Sequence, residues 1–168
     1  GGWIHELFCT PFGGNPLQFE VPDRNRTLVL KPNACSPISD LDAAIHAALA
    51  NPIGQPPIEQ WVKPTDRVLL VSDDNTRLTP ADRMIPPLLT RLSAAGVPDR
   101  NIACIMALGT HRYMTEEEMI AKVGQGVCRR IRVFNHAWRE AENLVELGTS
   151  SAGTPLQVNR AAAEADVV

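Results

Sequence analysis

The chain has 168 residues, 44% of them hydrophobic and 21% charged, with a formal net charge of −3. That is enough apolar material for one globular core, and the acidic balance leaves no electrostatic footprint for nucleic acid or an anionic membrane surface. The longest apolar run, "IACIMAL", falls far short of the ~20 residues that a membrane-crossing helix needs.

Cys9, Cys35, Cys104 and Cys128 are scattered, with no C-x-x-C pair and no closely spaced histidine. This spacing argues against a zinc site or a disulfide framework and suits a reducing, cytoplasmic setting. The opening "GGWIHELF" has neither Met nor a charged n-region, so Gly1 and Gly2 read as appended residues rather than part of a signal sequence.

In chain order, "LQFEVPDRNRTLVLKP" offers two β-rich runs around a polar turn, which predicts an N-terminal β-hairpin. Residues 39–50, "SDLDAAIHAALA", form an amphipathic helix with Ser39 as its cap and Asp42 completing a capping box. His46 falls on that helix and His5 in a loose terminus. A Pro-rich connector, "NPIGQPPIEQ", leads past Trp61 to "RVLLVS", a buried-strand candidate. Thr79 and Pro80 open the next helix, which Pro86 and Pro87 should kink or restart and which should end near Gly96.

The strand "NIACIMAL" follows, then a helix with Thr115 as cap, Glu118 completing a capping box and Gly124 closing it. "RRIRVF" is the third strand, its Arg129, Arg130 and Arg132 reading as an alternating strand face. Strands at "NLVELG" and "LQVN" flank a turn, a helix covers "RAAAEA", and "ADVV" begins another strand inside a fold that continues. Alternation of this kind predicts an α/β fold: a largely parallel, Rossmann-like sheet with flanking helices after the N-terminal hairpin.

Three polar stretches fall at equivalent strand ends: "DDNTR", "GTHR" and "NH". Ligands of open parallel sheets bind outside the carboxyl ends of the strands, so Asp74, Thr76, Arg77, His111, Arg112 and His136 are placed on one rim. An arginine holds a carboxylate bidentately, helix starts offer free N–H groups, and a histidine exchanges protons near neutral pH. Local roles suit some of the same residues: Asp74, Asn75 and Thr76 as an Asx-type turn, Arg77 as a surface ion-pair partner, Asn135-His136 as a turn. Glu116, Glu117 and Glu118 read as helix-dipole chemistry rather than a metal cluster.

"DNTR" with "LTP", then "GTHRYMTEEEM" with Gly124, then "NH" and "LVELGTSSAGTPLQVNRAAAEADVV" resemble, in that order, the amino-terminal half of the nickel-pincer lactate racemase family. Leu78, Tyr113 and Ala137 depart from the family's usual pattern. The resemblance implies a two-domain isomerase that inverts a small 2-hydroxy acid with a nickel pincer nucleotide derived from nicotinic acid. A histidine takes the hydroxyl proton while the Cα hydride moves to the cofactor and returns on either face.

By motif, His111 is similar to one of the family's two acid/base histidines, Arg77 to its carboxylate anchor, and Asp74 and Thr76 to loop residues that contact cofactor or substrate. Arg112 and His136 are further candidates. The family's second catalytic histidine, its cofactor-attaching lysine and its nickel-binding histidine lie beyond the match to "EADVV". Residues 1–168 are thus expected to form an amino-terminal domain whose partner is the carboxy-terminal half, with no metal or covalent cofactor of its own and no activity alone. The alternative is a stand-alone carboxylate-binding module that lost the chemistry. A metal hydrolase on His111 and His136 is the weakest reading, because no third ligand accompanies them.

Overall fold

The computed structural model describes residues 5–12, 14–25 and 28–168, divided between two compact units, Gly1–Pro37 and Ile38–Val168. The reading of Gly1 and Gly2 falls outside the described residues.

In the first unit, β1 (His5–Phe12) pairs antiparallel with β2 (Asn15–Pro22), and Phe8 stacks on Phe19 with ring centroids 5.6 Å apart. A hairpin is present, but earlier in the chain than the sequence pattern suggests. Residues 28–32, expected as its second strand, are irregular, and "LQFEVP" pairs backward instead. The short connection after Phe12 outcompetes the "PDRNR" turn, and the left-handed Gly14 (φ 86°) supplies conformational freedom there.

The second unit is built on β3 (Val68–Asp73), β4 (Ile102–Ala107) and β5 (Arg132–Asn135), parallel and in that spatial order. Val68, Ile102, Cys104 and Met106 join a core with Leu89 and Leu92 of α2 (Ala81–Ala94) and Val123 of α3 (Glu116–Val123). Leu69 and Ile105, which alternate with them, are buried as well. Parallel neighbours need long crossovers, and α2 and α3 fill them.

Helix starts show where local sequence misled. α1 (Leu41–Ala50) is capped by Asp40, whose carboxylate accepts the Ala43 N–H at 2.9 Å, so the cap lies one residue past Ser39. Thr79 does not cap α2: its hydroxyl donates to Asp73 Oδ2 at 2.5 Å, and Pro80 takes the cap position with no side-chain bond. α2 runs without restart through Pro86 and Pro87, because Asp82 and Arg83, whose carbonyls lose their N–H partners there, are exposed to water. It ends as expected at Gly96 (φ 86°).

At α3 the capping box of Thr115 and Glu118 and the closing Gly124 (φ 89°) stand as the sequence predicts. Arg129 and Arg130 do not lie on a strand. They end a short helix, α4 (Gln125–Arg130), where buried Val127 anchors the turn and Arg130 forks onto Asp99 at 2.9 Å.

Beyond β5, β6 (Leu144–Thr149) and β7 (Pro155–Asn159) form a separate antiparallel pair, followed by α5 (Arg160–Glu164). Val167 then bridges Val68 in parallel, and its carbonyl accepts the Leu69 N–H at 2.9 Å, so "ADVV" does touch the sheet edge as a strand would. An apolar groove of about 590 Å³ lies there, between that edge, α1 and α2. No helix among the described residues is long and apolar enough to cross a membrane.

Leu89 is fully enclosed at the centre of the core. Leu89→Ala is expected to destabilise the fold by about 2–5 kcal/mol, through lost burial and the cavity left behind, read as a lowered urea midpoint at unchanged m-value.

Candidate functional site

The register that pairs Asp73 with Ala107 and Met106 with Asn135 brings the carboxyl ends of the three strands to one level. The three polar loops that follow are therefore neighbours in space.

The first loop folds around Asp74. Its Oδ1 accepts the Thr76 N–H at 3.0 Å and the Thr76 hydroxyl at 2.6 Å, and its carbonyl accepts the Arg77 N–H at 3.2 Å. The Asx-type turn expected of these residues is thus real. Asp74 Oδ2 lies 2.5 Å from His111 Nδ1, so local turn and cross-loop contact share one carboxylate.

The second loop turns at Leu108–His111, closed by the His111 N–H to the Leu108 carbonyl at 3.0 Å. Gly109 takes φ 57° there with open space around it, so the constraint is backbone conformation rather than crowding. The turn directs His111 at Asp74.

Asp74 is 3% exposed, whereas the His111 side chain is 50% exposed. The Thr76 and His111 hydrogen bonds outweigh burial and hold the Asp74 carboxyl down at about 2. The carboxylate is therefore ionised at neutral pH and accepts a hydrogen bond from Nδ1–H. That tautomer leaves Nε2 as the free nitrogen of the ring, able to take a proton as a base.

The two arginines differ. Arg112 lays its guanidinium across Glu118 at 2.6 and 2.8 Å and also donates to the Tyr113 carbonyl, so both of its Nη groups are engaged. Arg77 is exposed and, among the described residues, has no carboxylate partner; its guanidinium reaches only Thr76 Oγ1 at 3.4 Å. Its fork is open to an external carboxylate.

His136 stands in the third loop. Its N–H donates to the Met106 carbonyl at 3.1 Å, and its Nδ1 lies 3.1 Å from the Asn159 side-chain amide, which ties it to the tail rather than to His111. Among the described residues no three His, Cys, Asp or Glu side chains converge as metal ligands.

Sequence reasoning passed over the residues that lock the loops together. Asn135 clasps the Met114 backbone through both side-chain groups, at 2.9 and 3.1 Å. Trp138 Nε1 donates to the His111 carbonyl at 3.4 Å, and the Tyr113 hydroxyl donates to Glu140 at 2.6 Å. Only Asn135 carried a signal, as the first residue of "NH" at a strand end.

The class these features define is an α/β domain that presents a histidine–carboxylate pair and an exposed arginine, without a carboxylate partner among the described residues, at the carboxyl ends of a parallel sheet. The chain belongs to the lactate racemase N-terminal domain family, whose description matches residues 12–168. It is 30% identical over 161 residues to the lactate racemase of Thermoanaerobacterium thermosaccharolyticum, a match covering 94% of this chain and 37% of that one. It is 28% identical over 160 residues to the lactate racemase of Lactiplantibacillus plantarum, covering 94% of this chain and 38% of the relative. The solved structure of the T. thermosaccharolyticum lactate racemase apoprotein superposes with a TM-score of 0.79 at 27% identity, covering 96% of this chain and 38% of that one. The chain thus spans well under half the length of the relatives it matches.

Asp74 also makes stability depend on pH. Its folded pKa, about 2, is below its ordinary 3.8, so the stabilisation is complete above 3.8 and disappears as pH falls through about 2. Asp74→Asn is expected to remove about 2 kcal/mol of stability at neutral pH, and urea titrations should show this pH-dependent gap closing as pH is lowered over that window.

Proposed function

We infer that this chain is the substrate-facing part of a 2-hydroxy acid racemase or epimerase. The observation that carries the reading is the 2.5 Å contact between His111 Nδ1 and buried Asp74, next to the open guanidinium of Arg77. Membership of a family whose characterised relatives are lactate racemases supports it.

In this reading Arg77 binds the substrate carboxylate and orients the 2-hydroxyl toward His111. Nε2 of His111 accepts the hydroxyl proton, and Asp74 stabilises the imidazolium that forms. The same nitrogen returns the proton when the hydroxy acid is regenerated. Thr76 shapes the anion-binding loop by holding Asp74.

The nickel pincer nucleotide implied by the resemblance would take up the Cα hydride, and its metal ligands and attaching lysine would come from outside this chain. Among the described residues no three ligating side chains converge, and Lys122, which reaches the first loop, is enclosed and paired with Asp73 at 2.7 Å. No step through that group is assigned to this chain. The 168-residue chain alone is expected to be inactive, with the remaining machinery supplied by the rest of a longer protein.

The test is lactate binding and enantiomer interconversion in the whole gene product. Arg77→Ala is expected to weaken binding by about 1.5–3 kcal/mol, the scale of a charged hydrogen bond. His111→Ala should leave binding nearly unchanged and abolish interconversion. If the wild type binds lactate but does not interconvert its enantiomers, the protein is a carboxylate-binding module; if His111→Ala racemises at the wild-type rate, the acid–base assignment is wrong.

A further inference from the structure

Glu118 enters the sequence pattern as a helix-dipole charge and as the third helical residue of a capping box, a role it fills by accepting the Thr115 N–H at 2.9 Å. Its carboxylate does more. Oε1 accepts from Asn75 Nδ2 at 3.1 Å in the first loop and from Arg112 Nη2 at 2.6 Å in the second, and Oε2 accepts from Arg112 Nη1 at 2.8 Å. Asn75 adjoins Asp74 and Arg112 adjoins His111, so one side chain brackets both members of the acid–base pair through their chain neighbours.

The bracket is anchored on a rigid element. One turn along α3, the Lys122 side chain is 6% exposed and pairs with Asp73 Oδ1 at 2.7 Å. Its ammonium also donates to the Arg77 and Thr79 carbonyls at 2.9 and 3.1 Å. A buried ammonium is tolerated only when its donors are satisfied, and here all the acceptors come from the first loop and the strand end before it. α3 therefore grips that loop at Asn75 and again at Arg77 and Thr79, while holding the second loop at Arg112.

We propose that Glu118 is a positioning residue for the His111–Asp74 pair, setting the separation of the two loops that carry it. The proposal rests on His111 being the base of the proposed reaction only for its consequence in turnover. The geometric claim stands apart from substrate.

The carboxyl pKa of Asp74, followed by 13C NMR in the folded protein, separates positioning from a purely structural role. Glu118→Gln keeps a residue that can complete the capping box but loses the charge that holds Arg112. Removing a neighbouring negative charge would by itself lower the Asp74 pKa, whereas departure of Arg112, whose charge is coupled to Asp74, would raise it. Loosening the contact with His111 also raises it, and Asn75→Ala, which leaves Arg112 on Glu118, separates that cause from the departure of Arg112. In Glu118→Gln the pKa is expected to rise from about 2 toward 3.8. Asn75→Ala, which alters no charge, is expected to produce a smaller rise.

A pKa that stays near 2 or falls in both variants, with the fold intact, overturns the proposal, even if thermal stability drops. In the whole gene product Glu118→Gln should lower kcat about tenfold to a hundredfold and change KM little, as misplacement of a base does. A wild type with no racemase activity would defeat the proposed function while the NMR comparison still decides the role of Glu118.

Discussion

Everything at the candidate site depends on the parallel pairing of β3, β4 and β5. A strand's side chains alternate between faces, so a slip of one residue would carry an entire strand's apolar set from the core to the opposite face. The observed register prevents this by placing Val68, Ile102, Cys104 and Met106 together against α2. The same register aligns the strand ends, and so sets Asp74 beside His111. Core packing and site geometry are consequences of one hydrogen-bonded alignment.

The Asp74–His111 contact shows how the fold accommodates a buried charge. An unpaired carboxylate would be expensive to enclose. Asp74 instead receives two donors from Thr76 within its own loop and a third from His111. The cost of burial is offset locally, and the third bond orients an imidazole whose other side remains half exposed. Arg77 and Arg112 divide by a similar logic. Arg112 is held by a glutamate fixed in the first turn of α3, while Arg77 lies in a loop anchored through its backbone carbonyl by Lys122, which leaves the guanidinium outward.

Around this pair the loops are tied in series rather than packed as a hydrophobic lid. Asn135 joins the second loop to the end of β5, Trp138 and Glu140 reach back to it from the third, and Glu118 joins the first to the second. Short polar ties of this kind fasten the three loops to one another at the strand ends.

The α/β class, the three parallel strands, the α3 capping box with Gly124, and the candidate loops were all legible in the sequence. Periodicity, capping residues and glycine conformations are local, and local chemistry is what a sequence displays directly. Where neighbouring residues offered the same chemistry, the structure made the choice: Asp40 capped α1 ahead of Ser39 through a bond within its own turn, Thr79 turned to Asp73, and Arg129 and Arg130 ended a helix whose Val127 is buried. The hairpin settled on the connection after Phe12 for a related reason, since strand pairing selects between competing turns. The sequence by itself determined which residue types stand at the strand ends. Only the tertiary structure decided that His111 meets Asp74, that Arg112 is engaged and Arg77 open, and that Glu118 and Lys122 hold the loops. The His111–Asp74, Glu118–Asn75 and Lys122–Arg77 contacts span tens of residues, and their geometry exists only once the sheet register has been set.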